Sequence, residues 1–522
     1  MSAPGSFYLT TAIFYPSERP ALHSMFEAIG ADAIARYHRL LGHDTRFLTG
    51  MDEHSANVER DARELGIDPH ALIDPWAATW QATFERFGIS ADRFIRTTDP
   101  DHAVAATEMV RRAQAAGDVY EGLYSGWFCT GCNEFKTDQQ LVDGRCPDHP
   151  TLDPQWLEEH NYFFRLSAYQ ERLEALYADN PSFCEPEHFR NEVLGWLRDG
   201  LRDFSISRSG TTWGIPFPDA ERHRIYVWFD ALTNYLTGAG FPDDQAAMDR
   251  WWPADLHVIG KNITRFHCLY WPAMLMSAGL PLPKQVFAHG FMLDRGQRMS
   301  KTTGNTEDPD EAADTFGVDG VRYVVLREVP FDRDADVTFD GFVRRYNADL
   351  ANDLGNLVNR TVSMSQRYLD GRLPPVSDAT QPADLEIRDA AGRTVEAYHA
   401  AMDGHQLDEA LAAVMRLAGA ANGYAEGQAP WNLNKAGETE RVGQVLAVMG
   451  EVCRILGHLL APVAPTGARA VLEQLGIPPP YDERGAGGPG LAQLLAWGAP
   501  GSGSVTGKPT PIFPRIEVEA PA

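Results

Sequence analysis

The stretch FYLTTAIFYPSERPALHSMFEAIGADAIARYHRLLG, residues 7–42, decides the architecture. Its first nine residues, FYLTTAIFY, form an apolar run that reads as a strand, and FEAIGADAIARYHRLLG (26–42) has the spacing of an amphipathic helix. Between them lies RPALHSM, residues 19–25. A strand that passes through a tight loop into a helix N-terminus is where α/β proteins place phosphate groups. This loop carries one histidine, His23, and no glycine. A phosphate loop ordinarily relies on close backbone approach or on several donors, so the rest of the chain has to explain the departure.

Outward from that unit the alternation continues. TRFLTG is a short strand ending at Gly50 and the cluster Met51-Asp52-Glu53-His54, and two helical stretches follow, SANVERDARELG and DPWAATWQATFERFG. Such alternation over residues 1–117 predicts an α/β unit with a mainly parallel sheet. From 118 to 215 the pattern breaks into a cysteine cluster, turn signals and the aromatic run HNYFFRLSAYQERL, which predicts an insertion. Alternation resumes over 216–345 in RIYVWFDALTNYL, DLHVIGKNITRFHCLYWPAMLM and KQVFAHGFMLDRGQRMSKTTGN. Loops at the C-terminal ends of such strands build active sites. Over 346–522 the strands stop and four long helical patterns predict an all-α bundle, with Val442, Val445, Val448 and Val452 forming one apolar stripe. The Gly/Pro-rich RGAGGPG (484–490) reads as a loop, having no preceding strand and no following Lys.

Bulk properties narrow the function. A chain of 522 residues implies two to four domains. The formal charge of −26 argues against indiscriminate coating of nucleic acid, which needs Lys and Arg, while leaving room for a local basic surface. There is no apolar run of membrane-spanning length, and MSAPGSFYLTT has neither the basic region nor the apolar core of a signal peptide. The expectation is a cytoplasmic protein without membrane association. Three of the six cysteines cluster, which in that compartment points to metal or redox chemistry rather than disulfides.

The cluster is Cys129-Thr-Gly-Cys132, thirteen residues, then Cys146-Pro-Asp-His149. Three thiolates and an imidazole suit tetrahedral Zn²⁺, and four protein ligands leave no open position, so a structural zinc is the expectation. A redox Cys pair and chance clustering are the competing readings, and His149 is the member whose type alone says least. A second polar segment, Arg298-Met-Ser300-Lys301-Thr-Thr-Gly-Asn305, follows a strand at about 286–289 through the turn Asp294-Arg-Gly-Gln. A loop with cations, hydroxyls and a glycine suits brief gripping of an anionic transition state. On residue type alone, Lys301 reads equally well as a solvated surface lysine.

RMSKTTGN resembles the KMSKS loop of class I aminoacyl-tRNA synthetases. The likeness extends from about residue 6 to 517 through IARYHRLLG, FLTGMDEH, the Cys/His insert, HNYFFRLS, YVWFDALTNYL, VIGKNITRFHCLYWPAML, RYNADLANDLGNLVNR, QAPWNLNK and KPTPIFPRIE. Together they resemble the methionyl-tRNA synthetase family. The resemblance implies a Rossmann-type catalytic domain (1–117 and 216–345) split by a zinc-binding insertion, and a helical anticodon-binding domain. It implies ATP with Mg²⁺, L-methionine and tRNA(Met) as substrates, and a monomer, since the chain ends without the additional C-terminal RNA-binding module of some relatives. The methionine pocket then falls on Ile13, Tyr15, Asp52, Trp228, Ala231, Leu232, Tyr235, Ile263, Phe266 and His267. Aromatic rings suit a polarizable thioether, and Asp52 matches the carboxylate that holds the amino group. Read without the family, each aromatic is ordinary core packing. Anticodon reading falls on Asn356, Arg360 and Trp431, one ring to stack on a splayed base and two polar groups for its edges. ATP activation falls on Lys301, with Ser300 and Arg298, and on the HIGH-type signature.

That signature is altered. Aligned on ADAIARYHRLLG, its four positions read Ala21-Leu22-His23-Ser24: the first His is Ala, the Gly is His and the last His is Ser. A one-residue offset on a helix rotates a side chain by about 100°, so His23 does not point where position 24 points. A side chain at the glycine position also faces the place of adenine. Two readings follow: ATP activation that survives on Lys301, Lys261, Arg265, Ser24, His23 and the helix N-terminus, or a paralogue that keeps its binding sites without the chemistry.

Overall fold

The computed structural model describes residues 5–16, 19–131, 134–136, 138–147, 149–298, 307–377, 381–499 and 502–517. Strand β1 (Ser6–Phe14) is the spine of the first unit, and helix α1 (Leu22–Leu41) follows it. The helix starts four residues before the point that apolar spacing marks, so Leu22, His23 and Ser24 are its first turn rather than loop. Polar residues at a helix start carry no apolar period, which is why the pattern misses them.

Next come β2 (Asp44–Met51) and β3 (Arg93–Arg96). The strands Cys184–Glu185, Leu256–Gly260 and Val286–His289 complete a parallel six-stranded sheet. Its order is β3, β2, β1, Leu256–Gly260, Val286–His289, Cys184–Glu185. The chain builds outward from β1 on one side and returns to its other side after the insertion. This puts the topological switch between β1 and Leu256–Gly260, where open α/β sheets bind ligands. Glycine is required at position 50, where a Cβ would lie 2.0 Å from the Ile95 carbonyl oxygen of β3.

One segment departs from the simple alternation. Ala220–Ile225, at the head of RIYVWFDALTNYL, joins a small antiparallel sheet with Ser207–Arg208 and Pro216–Phe217 instead of the main sheet. Its first five residues are at most half-buried, AERHR, too polar for a strand covered on both faces. The far edge strand, Cys184–Glu185, comes from within the stretch read as the insertion. The same stretch also contains the helices Gln170–Asp179 and Glu187–Arg198 and an antiparallel ribbon, Val119–Cys129 against Gln155–Phe164, flanked by Glu134–Lys136 and Phe204–Ser205.

The C-terminal region is a bundle whose long helices include Pro382–Asp403, Leu407–Gln428 and Thr439–Leu460. The valine stripe is buried as expected, but Thr439–Leu460 is covered on all sides from Val442 onward. Among the described residues it is the one helix long and apolar enough to cross a membrane, and 94% of that window is enclosed by the protein.

The two regions are fastened by a buried ionic cluster. Asp32, in the middle of α1, accepts from Arg36 at 2.6 Å and from Arg322 of Val318–Glu328 at 2.6 Å, with its carboxylate and the Arg322 side chain fully buried. Arg322 also donates to the carbonyls of Phe87, Pro462 and Val463, so one guanidinium spans the sheet domain and the bundle. Removing one partner strands two buried cations. Asp32→Ala is expected to cost about 3–5 kcal/mol, read as a lowered urea midpoint; a loss under about 1 kcal/mol would mean that water replaces the carboxylate.

Candidate active site and metal centre

A cavity of about 470 Å³ opens at the switch point. All ten residues expected to hold methionine line it: Ile13, Tyr15, Asp52, Trp228, Ala231, Leu232, Tyr235, Ile263, Phe266 and His267. They come from four places in the chain: the end of β1, the end of β2, the helices after Ile225, and the turn after Leu256–Gly260. The Trp228 and Phe266 rings stack with centroids 3.6 Å apart and planes within 5°, giving a flat apolar wall. His267 stands in a wide turn of π-helix, Phe266–Tyr270, a geometry frequent at functional sites.

Hydrogen bonding sets the tautomers. His267 Nδ1 faces the Ile263 carbonyl at 3.0 Å, so it donates there, and Nε2 accepts from the Tyr235 hydroxyl at 2.6 Å. Burial pushes the His267 ring down to about 4, which keeps it neutral, and it pushes the Tyr235 hydroxyl well above its usual range. Behind them, Trp271 donates to His257 Nε2, so His257 Nδ1 donates to Thr10 at 2.7 Å. At the apolar end a neutral His267 and the Tyr235 hydroxyl therefore satisfy each other, while Trp228 Nε1 has no hydrogen-bond partner among the described residues.

Among the described residues, Asp52 is the carboxyl of this cavity wall left without a partner on one oxygen. Its backbone N–H donates to the Phe14 carbonyl at 2.8 Å, fixing the end of β2 against β1. The carboxyl is buried, and Oδ1 has no hydrogen-bond partner among the described residues. Burial, then the neighbouring Asp230 carboxylate, push it well above the usual carboxylate range. An unpartnered buried carboxyl oxygen in a cavity wall is a site for a cation or a donor.

The other end of the cavity is formed by α1 and the strand ends. His23 and Ser24 line it; Ala21 and Leu22 are buried and do not. Among the described residues no side chain caps α1, and the Leu22 N–H donates to the Glu307 carbonyl at 3.1 Å. Residue 307 is the first described after the lysine loop and stands at the first turn of α1, and Gln297–Arg298 is the last strand before the loop. Ser300 and Lys301 lie outside the described residues, and Arg298 is described by its backbone alone. Lys261 and Arg265 do not line the cavity. Lys261 pairs with Asp334 at 2.6 Å.

Sequence reasoning missed Glu27. One turn after His23 on the same face of α1, it is buried, accepts from the Ala12 N–H at 2.9 Å and pairs with His289 at 2.8 Å. This joins the ends of β1 and Val286–His289. The only advance signal was a carboxylate on the apolar face of the predicted helix.

In the insertion, ligand atoms of Cys129, Cys146 and His149 lie within 4.8 Å of one another; Cys132 lies outside the described residues. A Cβ on Gly131 would stand 2.4 Å from the His149 ring, so the knuckle folds this tightly only around glycine. Soft sulfur donors with one imidazole fit Zn²⁺. The knuckle also reaches the cavity, whose wall includes Gly131 and His149.

The expected anticodon residues form one face in the bundle. Exposed Asn356 and half-buried Arg360 are one turn apart on Asn356–Tyr368. The Arg360 guanidinium lies 5.4 Å from the centre of the Trp431 ring and pairs with Glu426 at 2.8 Å. Trp431 is half-buried at the start of Pro430–Ala436.

Comparison with known proteins agrees with this architecture. The family described as tRNA synthetases class I (M) matches residues 7–153 and 149–362. The methionine–tRNA ligase of Mycobacterium tuberculosis H37Rv is 45% identical over 522 residues, covering 99% of each chain. That of Thermosynechococcus vestitus is 42% identical over 521 residues, covering 98% of each. The solved structure of the Mycobacterium tuberculosis methionyl-tRNA synthetase in complex with methionyl-adenylate superposes with a TM-score of 0.92 at 44% identity, covering 98% of this chain and 100% of that one. The free form superposes with 0.86 at 41% identity, with 99% of each chain covered. With the family matched across both halves of the sheet domain and relatives above 40% identity end to end, this chain belongs to the methionyl-tRNA synthetases of class I.

Proposed function

We propose that this chain is a methionine–tRNA ligase that activates L-methionine with ATP and transfers it to tRNA(Met) in the cytoplasm, for initiation and elongation. The single observation that supports the site assignment most is the joining, in one cavity at the switch point, of all ten residues expected to hold methionine. The thioether lies against the Trp228–Phe266 wall, with Tyr235 and His267 at its end, and the ammonium group pairs with Asp52. This orientation carries the carboxylate toward the N-terminus of α1, where partial positive charge favours anions.

In the first step the methionine carboxylate attacks the α-phosphate of ATP, held with Mg²⁺, and pyrophosphate leaves. Lys301, on a loop whose return segment is tied to the first turn of α1, neutralises the transferring phosphate, with Ser300 and Arg298 beside it. His23 and Ser24 supply side-chain donors where the family signature has its second pair of residues, and Ala21 and Leu22 shape the turn. In the second step the 3′-terminal ribose of the tRNA attacks the adenylate and AMP leaves. Positioning and charge stabilisation carry both steps, with no protein nucleophile. Asn356, Arg360 and Trp431 read the anticodon loop by stacking and edge contacts. Cys129, Cys132, Cys146 and His149 hold a structural Zn²⁺, which cross-links the knuckle that forms part of the cavity wall.

Methionine-dependent ATP–pyrophosphate exchange tests this. The purified protein is expected to support exchange, and Lys301→Ala to lower it on the order of 10²-fold or more while sparing methionine binding. Silence of the natural chain with rescue by Ala21→His/His23→Gly/Ser24→His would mean a working pocket disabled at its signature. Trp431→Ala is expected to weaken tRNA charging and leave exchange intact; equal loss of both would indicate a folding defect. Metal analysis is expected to find one zinc per chain, lost on Cys146→Ser.

A further inference from the structure

Three buried carboxylates meet behind the amino-acid end of the cavity: Asp52, Glu53 and Asp230. Two of them are matched by side-chain partners. Glu53 pairs with Arg96 at 2.6 Å and accepts from the Thr98 hydroxyl. Asp230 sits between two imidazoles, with His54 Nδ1 at 2.6 Å from Oδ2 and His102 Nε2 at 2.7 Å from Oδ1. Asp52 has no cation among the described residues.

The bonding of His102 shows what the clamp supplies. Its Nδ1 lies 3.0 Å from the Thr237 hydroxyl, which donates its own hydrogen to the Thr233 carbonyl at 3.3 Å. Both ring nitrogens of His102 are therefore engaged, and Nε2 is held against Asp230. Burial opposes ionisation of Asp230, but His54 and His102 outweigh it and hold the carboxyl below the usual range.

We propose that His102 and His54 are positioning residues for amino-acid binding: by neutralising Asp230 they leave Asp52 as the one uncompensated carboxyl of the cluster, which gives up its proton when an ammonium group enters. The balance is simple. A protonated Asp52 and the methionine ammonium become an ion pair, and one proton passes to the buffer. The raised range of Asp52 in the free protein supports this direction. Other titratable groups around Asp52 are the Glu53–Arg96 pair at β3, and Tyr235 and His267 across the cavity. Glu27 with His289, His23 of α1, and Lys136 and His149 of the insertion line the same cavity. The inference rests on Asp52 as the ammonium partner.

The test is calorimetry of methionine binding to the full chain without ATP, between pH 5 and 8, in buffers of differing ionisation enthalpy. Proton release at low pH, fading as pH rises, is expected, with no release by Asp52→Asn. His102→Gln weakens the neutralisation of Asp230, so the pH of half-release moves up by about one unit. Asp230→Asn removes the like charge, so that pH moves down. Opposite shifts are the signature of charge balance; a packing role lowers affinity in both variants without moving the pH. Binding by the natural protein without proton exchange, or half-release unmoved in both variants, overturns the inference and leaves the ligase reading standing. Absence of methionine binding refutes the pocket assignment together with it.

Discussion

The structure hangs on the anchoring of α1 by Asp32. This carboxylate is fully buried, and what makes it tolerable is the pair of guanidinium groups from Arg36 and Arg322. Arg322 belongs to the returning half of the chain and also holds bundle carbonyls. One buried network therefore sets where α1 lies relative to both regions. Since His23, Ser24 and Glu27 are the pocket-facing residues of its first turns, the placement of the reactive end follows from it. The C-terminal half of α1 is tied similarly, with the Tyr37 hydroxyl bonded to Asp403 at 2.9 Å.

The two ends of the cavity use opposite electrostatics. At the end walled by Trp228 and Phe266, His267 is neutral and bonded to Tyr235, so the wall offers shape and polarizability rather than charge. At the other end, carboxylates are crowded and Asp52 is left without a cation among the described residues. Low dielectric makes both choices effective: it suppresses charge at His267 and magnifies the attraction of an unpaired carboxylate. At the third corner, the altered signature replaces a close backbone approach with the side chain of His23, while the loop return at Glu307 still reaches the first turn of α1.

The parallel sheet, the insertion and the helical bundle were legible because each has its own period or lack of one. The pocket residues were legible through long family motifs rather than through their own chemistry; alone, Trp228 or Phe266 looks like core. The pairing of Lys261 with Asp334, 73 residues on, is one that no local pattern reveals. Glu27 was overlooked because a lone carboxylate on an apolar helix face has no meaning before its partners Ala12 and His289 are known.

What the amino-acid order determined by itself was local and periodic: element type, the cysteine–histidine spacing, the lysine loop, and the departure at Ala21-Leu22-His23-Ser24. What only the tertiary structure decided was pairing between distant residues: which carboxylates are neutralised, which imidazole nitrogen carries the hydrogen, and which side chains share one cavity. Asp52 and Asp230 are far apart in the chain, and their carboxyl groups are pushed in opposite directions only when burial removes water and leaves each to its neighbours. Burial and contact are properties of the folded ensemble of neighbours, and no short window of sequence contains them.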